Sequence, residues 1–317
     1  MGRRYQRVPE VVNLRGCAGK VWENSRVTSR APELVRIDVN GVSLAVWEWA
    51  GEDPPLVFTH GSGFHGRCWD EVIRHLPGRR CLAVDARGHG QSAKPEPPYP
   101  WTLFAADLAE LLAKLEIRNA IGVGHSLGGH TITAAAAERP ESFSALLLLD
   151  PTIWEVREYG SKPLNTFIVR RRRDRWPSPD VMFESLSGRP PFERWNQDVL
   201  RDYCNYGLLL RDGEYWVACP PHIEASAHEC AKDESANIHP VIPSIKCPVT
   251  IMRAGTSARR FFNPEPSPTD PELAKRFPNG TDVFLREISH FIPMELPEMV
   301  AEHICGMLAL SESRQAD

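Results

Sequence analysis

The chain of 317 residues carries little that would place it in a membrane or on a nucleic acid. No apolar run approaches the ~18 residues that a bilayer-spanning helix needs. Lysine and arginine total 37 against 41 acidic residues, a formal net charge of -4. A nucleic-acid binder usually shows a basic excess instead. Residues 1–30 are basic and lack the apolar stretch of a secretory signal. Gln6 stands where a myristoylation pattern requires Ser or Thr. This stretch is expected to be an N-terminal extension lying on the surface. The eight cysteines include no C-x-x-C pair. Their scatter suits free thiols in a reducing cytoplasm better than a disulfide framework. No H-E-x-x-H is present, and neither His60-x4-His65 nor His125-x4-His130 has clustered carboxylates beside it. No metal and no cofactor are therefore expected. Internal repeats and low-complexity tracts are absent too.

What is present is an alternation of strand and helix signals. Val35–Val39 and Val42–Trp49 read as a hairpin turned at Asn40-Gly41. Strands are expected at Leu56–His60, Cys81–Asp85, Ala120–Gly124, Ala145–Leu149, Val249–Arg253 and Asp282–Ile288. Helices are expected at Cys68–Leu76, Thr102–Leu115 with Thr102 as cap, Leu127–Arg139, Pro271–Phe277 and Pro297–Leu310. The pattern predicts an α/β fold, a mostly parallel doubly wound sheet over 31–150 and 244–317. The rhythm breaks at 151–243, which holds 11 of the 27 aromatic residues and an arginine run at 170–173 but no clear strand. That stretch is expected to be an inserted helical cap.

The chemistry sits at one junction. Gly124-His125-Ser126-Leu127-Gly128 lies where an apolar strand gives way to an apolar helix. A serine on such a strained turn stands above the sheet at a helix N-terminus, where backbone N–H groups face a developing oxyanion. Its hydroxyl needs an imidazole to take its proton. Of eleven histidines, His290 is the best placed, directly after the last strand and in the chain order Ser…Asp…His. His60 is read as shaping the loop after the third strand, and His89 and His125 as structural neighbours.

Together these motifs resemble the α/β-hydrolase superfamily. His60-Gly61-Ser62-Gly63 resembles its oxyanion loop. Asp85-x-Arg87-Gly88-His89-Gly90-x-Ser92 resembles its D-x-R-G-H/F-G-x-S turn. Ser289-His290-Phe291-x-Pro293-x-Glu295 resembles its catalytic-histidine loop. The family most often carries its acid after the seventh strand. Here that loop, Arg253-Ala254-Gly255-Thr256-Ser257-Ala258-Arg259-Arg260, has no carboxylate. A subset of the superfamily places the acid at the end of the sixth strand, where Asp150 stands 24 residues after Ser126. Neighbouring parallel strands lie ~4.8 Å apart, within reach of a histidine over Ser126. Asp270 is the other candidate.

The resemblance implies a carboxylic-ester hydrolase with a Ser126–His290–Asp150 triad, and an oxyanion hole from the N–H groups of Leu127 and Ser62. Gly61, Gly63, His65 and Trp154 are expected to line the substrate site. The lid aromatics point to a bulky apolar ester or lactone. Hydrolases with the acid after strand six include a lactonase acting on the macrolactone zearalenone and acyl-CoA hydrolases. A thioesterase, a C–C hydrolase and a non-catalytic ligand-binding protein on this fold are the alternatives. The arginine run reads as a solvated helix face, with an anionic substrate as its other reading. The expected partner is a small-molecule substrate, with no nucleic acid or membrane, and a homodimer is left open.

Overall fold

The computed structural model describes residues 31–76, 78–255 and 267–316, without side chains beyond 310. The N-terminal extension, Glu265 and residues 256–260 of the loop after the seventh strand lie outside the described residues. Strands β1 (Glu33–Val39) and β2 (Val42–Trp49) form the expected hairpin. Asn40 and Gly41 have φ of 44° and 75°, the paired left-handed residues of a type I′ turn. β3 (Glu52–Thr59), β4 (Arg79–Val84), β5 (Ala120–His125) and β6 (Phe143–Leu149) follow. Between 151 and 243 lie the short strands β7 (Arg175–Trp176), β8 (Leu208–Arg211) and β9 (Glu214–Val217). β10 (Val249–Ala254) and β11 (Gly280–Leu285) return to the main sheet. Its order is β1-β2-β4-β3-β5-β6-β10-β11, and only β2 runs against the rest.

The helices are α1 (Asp70–Arg74), α2 (Trp101–Lys114), α3 (Leu127–Glu138), α4 (Phe167–Arg170), α5 (Pro179–Leu186), α6 (Gln197–Tyr206), α7 (Pro221–Glu229), α8 (Ile292–Glu295) and α9 (Pro297–Ala316). The apolar run of β6 is explained by cover on both faces. Leu146 and Leu148 join one core cluster, while Leu147 and Leu149 join the cluster on the opposite face. No helix among the described residues is long and apolar enough to cross a membrane.

Several boundaries differ from the sequence reading. α2 starts at Trp101, with Pro100 at the cap position and no side-chain cap, so Thr102 does not cap it. Trp101 is anchored instead by its indole N–H, which donates to the Ala227 carbonyl at 2.7 Å. Residues 271–277 form only a 3₁₀ turn at Leu273–Arg276. The largest departure is in 151–243, which was expected to lack strands but holds a three-stranded sheet ordered β7-β9-β8. Its hairpin turns at Asp212-Gly213, both with positive φ, the same turn chemistry as Asn40-Gly41.

Close backbone packing sets the junction after β5. A Cβ on Gly128 would lie 2.2 Å from the Thr59 carbonyl oxygen and 2.7 Å from that of His60. A Cβ on Gly124 would meet Gly129 Cα at 2.7 Å. Helix α3 therefore rests directly on the ends of β3 and β5. Gly128→Ala is expected to lower stability by about 3 kcal/mol, because a backbone carbonyl cannot rotate away as a side chain would. Urea denaturation checks this; an unchanged midpoint would show that the contact relaxes freely.

Candidate active site

Ser126 sits between β5 and α3 with φ 55° and ψ -120°. This is a sparsely populated conformation for a residue with a side chain. It is held by Ser126 N–H donating to the Leu149 carbonyl and by the Ser126 carbonyl accepting from Thr152 N–H. The strain lifts the hydroxyl clear of the sheet. Ser126 Oγ donates to His290 Nε2 at 2.9 Å, and His290 Nδ1 donates to Asp150 Oδ2 at 2.7 Å. The three residues are thus in hydrogen-bonded line. The imidazole tautomer follows from the carboxylate, which leaves Nε2 free to accept the serine proton.

Asp150 is fully buried at the end of β6, also with positive φ. Burial pushes its carboxyl up, but the bonds from His290, Ser267 and the Ala254 N–H outweigh this and hold it below the usual carboxylate range. Oδ1 accepts from Ala254 N–H at 2.9 Å and from the hydroxyls of Ser267 and Thr269. The seventh strand in chain order of the main sheet, β10, thus donates a backbone N–H to the acid. Asp270 points elsewhere: its carboxylate accepts from Glu272 N–H and Arg276.

His290 is fixed from behind. His125 Nε2 donates to the His290 carbonyl at 2.9 Å, and the two rings lie 4.9 Å apart. Burial lowers His125 to about 3, so it is neutral beside a group that must gain a proton. Ser289 hydrogen-bonds Glu295 within the same loop.

The loop after β3 passes over the serine. A Cβ on Gly61 would stand 3.1 Å from Ser126 Cβ, so only glycine lets the loop come this close. His60 accepts from Ala86 N–H at Nε2 and donates from Nδ1 to the Gly61 carbonyl. That pairing requires neutral imidazole, and burial lowers its pKa accordingly. Leu127 is the first residue of α3, and its N–H has no acceptor within the helix. Ser62 lies between Gly61 and Gly63, its buried hydroxyl without a partner among the described residues. Gly63 has φ 82°, and a Cβ there would stand 2.6 Å from Glu224 Oε1.

Two expected substrate contacts have protein partners of their own. His65 is buried, with Nε2 bonded to the Tyr203 carbonyl and its ring stacked on Tyr203. It ties the loop to α6 rather than presenting a face to a ligand. Trp154 is partly buried against the cluster containing Leu127 and Ile223, with Lys232 Nζ 4.5 Å from its ring centre. Phe64 and Phe291 lie next to His125 and His290, and the buried Trp195 and Tyr203 pack against Phe64.

Three features escaped the sequence reading. Thr152 Oγ1 is 3.1 Å from Ser126 Oγ, so the nucleophile has a second hydroxyl neighbour. Ser267 and Thr269 cradle the acid from a distant loop. Arg172, within the run expected to be solvated, turns inward to Glu224. The Pro151-Thr152 step after Asp150 was the one available signal for the first. Asp150→Asn is expected to lower kcat by about 10⁴-fold, because the amide favours the wrong histidine tautomer. Asp270→Asn should stay within threefold of wild type; the reverse pattern in steady-state kinetics would move the acid to Asp270.

Comparison with known proteins gives the family. An esterase of Mycobacterium tuberculosis, Rv0045c, is 27% identical over 293 residues, covering 90% of this chain and 92% of its own. The 2-(acetamidomethylene)succinate hydrolase of Mesorhizobium japonicum is 36% identical over 271 residues, covering 82% of this chain and 92% of its own. A solved E-2-(acetamidomethylene)succinate hydrolase superposes with a TM-score of 0.71, at 23% identity by structural alignment, covering 88% of this chain and 99% of the other. The model of the alpha/beta hydrolase family matches residues 56–303. With that match, the strained serine and the parallel sheet beneath it, the chain belongs to the alpha/beta hydrolase family.

Proposed function

We propose that the chain hydrolyses carboxylic esters, lactones included, through an acyl-enzyme on Ser126. The observation that carries this reading is the unbroken line from Ser126 Oγ through both ring nitrogens of His290 to Asp150. In the first half-reaction Ser126 Oγ bonds to the ester carbonyl carbon as its proton passes to His290 Nε2. The carbonyl oxygen becomes an oxyanion facing the N–H groups of Leu127 and Ser62. Collapse breaks the bond to the alcohol oxygen, which leaves with the proton from His290. Water then attacks the acyl-serine, giving its proton to His290; collapse breaks the bond from the carbonyl carbon to Ser126 Oγ, which takes the proton back from His290 as the acid product departs. Asp150 stays ionised throughout and stabilises the imidazolium.

The partly buried Phe64 and Phe291 beside His125 and His290 support an apolar portion in the substrate. The relative named for hydrolysis of 2-(acetamidomethylene)succinate keeps a small polar substrate as a second reading. A fluorophosphonate probe is expected to label Ser126 once per chain, seen as a single mass addition on the peptide containing residue 126. Ser126→Ala should abolish labelling and lower turnover of p-nitrophenyl acetate by about 10⁵-fold or more. A variant that kept full turnover would overturn the assignment of the nucleophile.

A further inference from the structure

The arginine run at 170–173 divides by direction. Arg170 pairs at the surface with Glu229, and Arg173 lies over Trp176. Arg172 turns inward, with Nη2 2.6 Å from Glu224 Oε2 and 3.4 Å from the Cys219 carbonyl. Glu224 is on α7 and touches the oxyanion loop, since its Oε1 occupies the space beside Gly63. One helical turn further, His228 Nε2 is 3.9 Å from Glu224 Oε1, too far for a hydrogen bond. His228 lies near enough to His290 that positive charge on His290 opposes its protonation. Surrounding protein is the largest influence on the protonation of both Arg172 and His228. Yet 34% of each side chain is open, against 10% for Glu224. Arg172 and His228 thus remain one-third accessible beside a nearly buried Glu224.

The pair is not explained by stability. Removing two opposite charges from water is expensive, and well-packed apolar side chains would serve the fold as well or better. The hydrogen bonding of the pair is incomplete on both sides. Arg172 donates to the Cys219 carbonyl, and its Nε is buried without a partner among the described residues. Glu224 Oε2 is ion-paired with Arg172 Nη2 but accepts no aligned hydrogen bond among the described residues. The unpartnered Nε leaves at least one of the five guanidinium N–H bonds unused. Gly63, which Glu224 touches, is at most roughly 7 Å along the chain from Gly61, the residue that packs on Ser126.

We propose that Arg172, oriented by Glu224, anchors a carboxylate carried by the substrate a few bonds from the scissile ester, with His228 as a second donor beside it. The inference rests on the esterase reading of the same site and narrows it to carboxylate-bearing esters. An arginine fork suits this group because it offers two parallel N–H bonds to the two carboxylate oxygens.

Glutarate and its neutral diamide, glutaramide, test the anchor without reference to the true substrate. Glutarate is expected to compete with p-nitrophenyl acetate at least tenfold more tightly than glutaramide does. Arg172→Gln should weaken glutarate inhibition by about 10–100-fold, the range for charge-assisted hydrogen bonds, and leave glutaramide inhibition much less affected. Arg172→Lys, which retains charge but not the fork, should fall between. Calorimetric binding of glutarate to the Ser126→Ala protein separates the two readings, because it requires no turnover. Binding there together with an inactive nucleophile variant supports both. Equal inhibition by glutarate and glutaramide in the wild-type protein would overturn the anchor and leave the esterase reading standing. So would a glutarate affinity unchanged in a folded Arg172→Gln variant.

Discussion

The buried carboxylate of Asp150 is the point on which separate parts of the chain converge. It ends β6, takes a backbone N–H from the end of β10, and accepts hydroxyls from Ser267 and Thr269. On its other oxygen it receives His290 from the loop after β11. An unpaired carboxylate at this depth would be strongly disfavoured. Its ionisation is therefore inseparable from the correct placement of these segments. The fold builds the acid's environment, and the acid in turn makes the register of β6 against β10 matter to the site.

Around that point the histidines are arranged so that only one has a proton to exchange with Ser126. His60 and His125 are surrounded by protein, each bonded to a backbone carbonyl, and burial keeps both neutral. Had either been charged, it would have opposed the imidazolium that His290 becomes during the reaction. Both also have positional work. His60 joins the oxyanion loop to the turn after β4, and His125 holds the backbone of His290. The histidine inside the Gly-x-Ser motif thus links the nucleophile's own strand to the base.

The sheet, the hairpin at Asn40-Gly41 and the Ser126 turn were legible because local sequence determines them: glycine where backbones touch, apolar residues on two-sided strands. His290 was legible by its position after the last strand. Asp150 was implied by resemblance to the superfamily subset that carries its acid after strand six, with the loop after β10 offering no carboxylate. The bonds from Ser267 and Thr269 that complete the acid's site were not legible, since they join residues more than a hundred positions apart. Nothing near Ser267 or Thr269 signals that they face Asp150. The sheet within 151–243 was missed for a different reason. Its Asp-Gly turn is a strong hairpin signal, but the strands beside it are only four residues long and too short for periodicity to stand out. The arginine run misled because composition describes a face, whereas one member of the four points the other way.

The segment over the site is attached on opposite sides by different means, and this bears on how a substrate enters. On one side its aromatics are continuous with the catalytic loops, Trp195 and Tyr203 packing against Phe64 and Phe291. Asn196 N–H donates to the Met294 carbonyl there, and Arg194 pairs with Glu295, the residue that also bonds Ser289. Displacing that side would disturb the loop carrying His290. On the other side, α7 is held by the Trp101 indole and by Ser226 accepting from Tyr99 N–H. There the polar group Arg172, Glu224 and His228 lies between α7 and the oxyanion loop. A wall that must stay in place to hold the base is well suited to bind the apolar part of a ligand. The α7 side is the polar one, where Arg172 Nε and Glu224 Oε2 have no hydrogen-bond partner among the described residues.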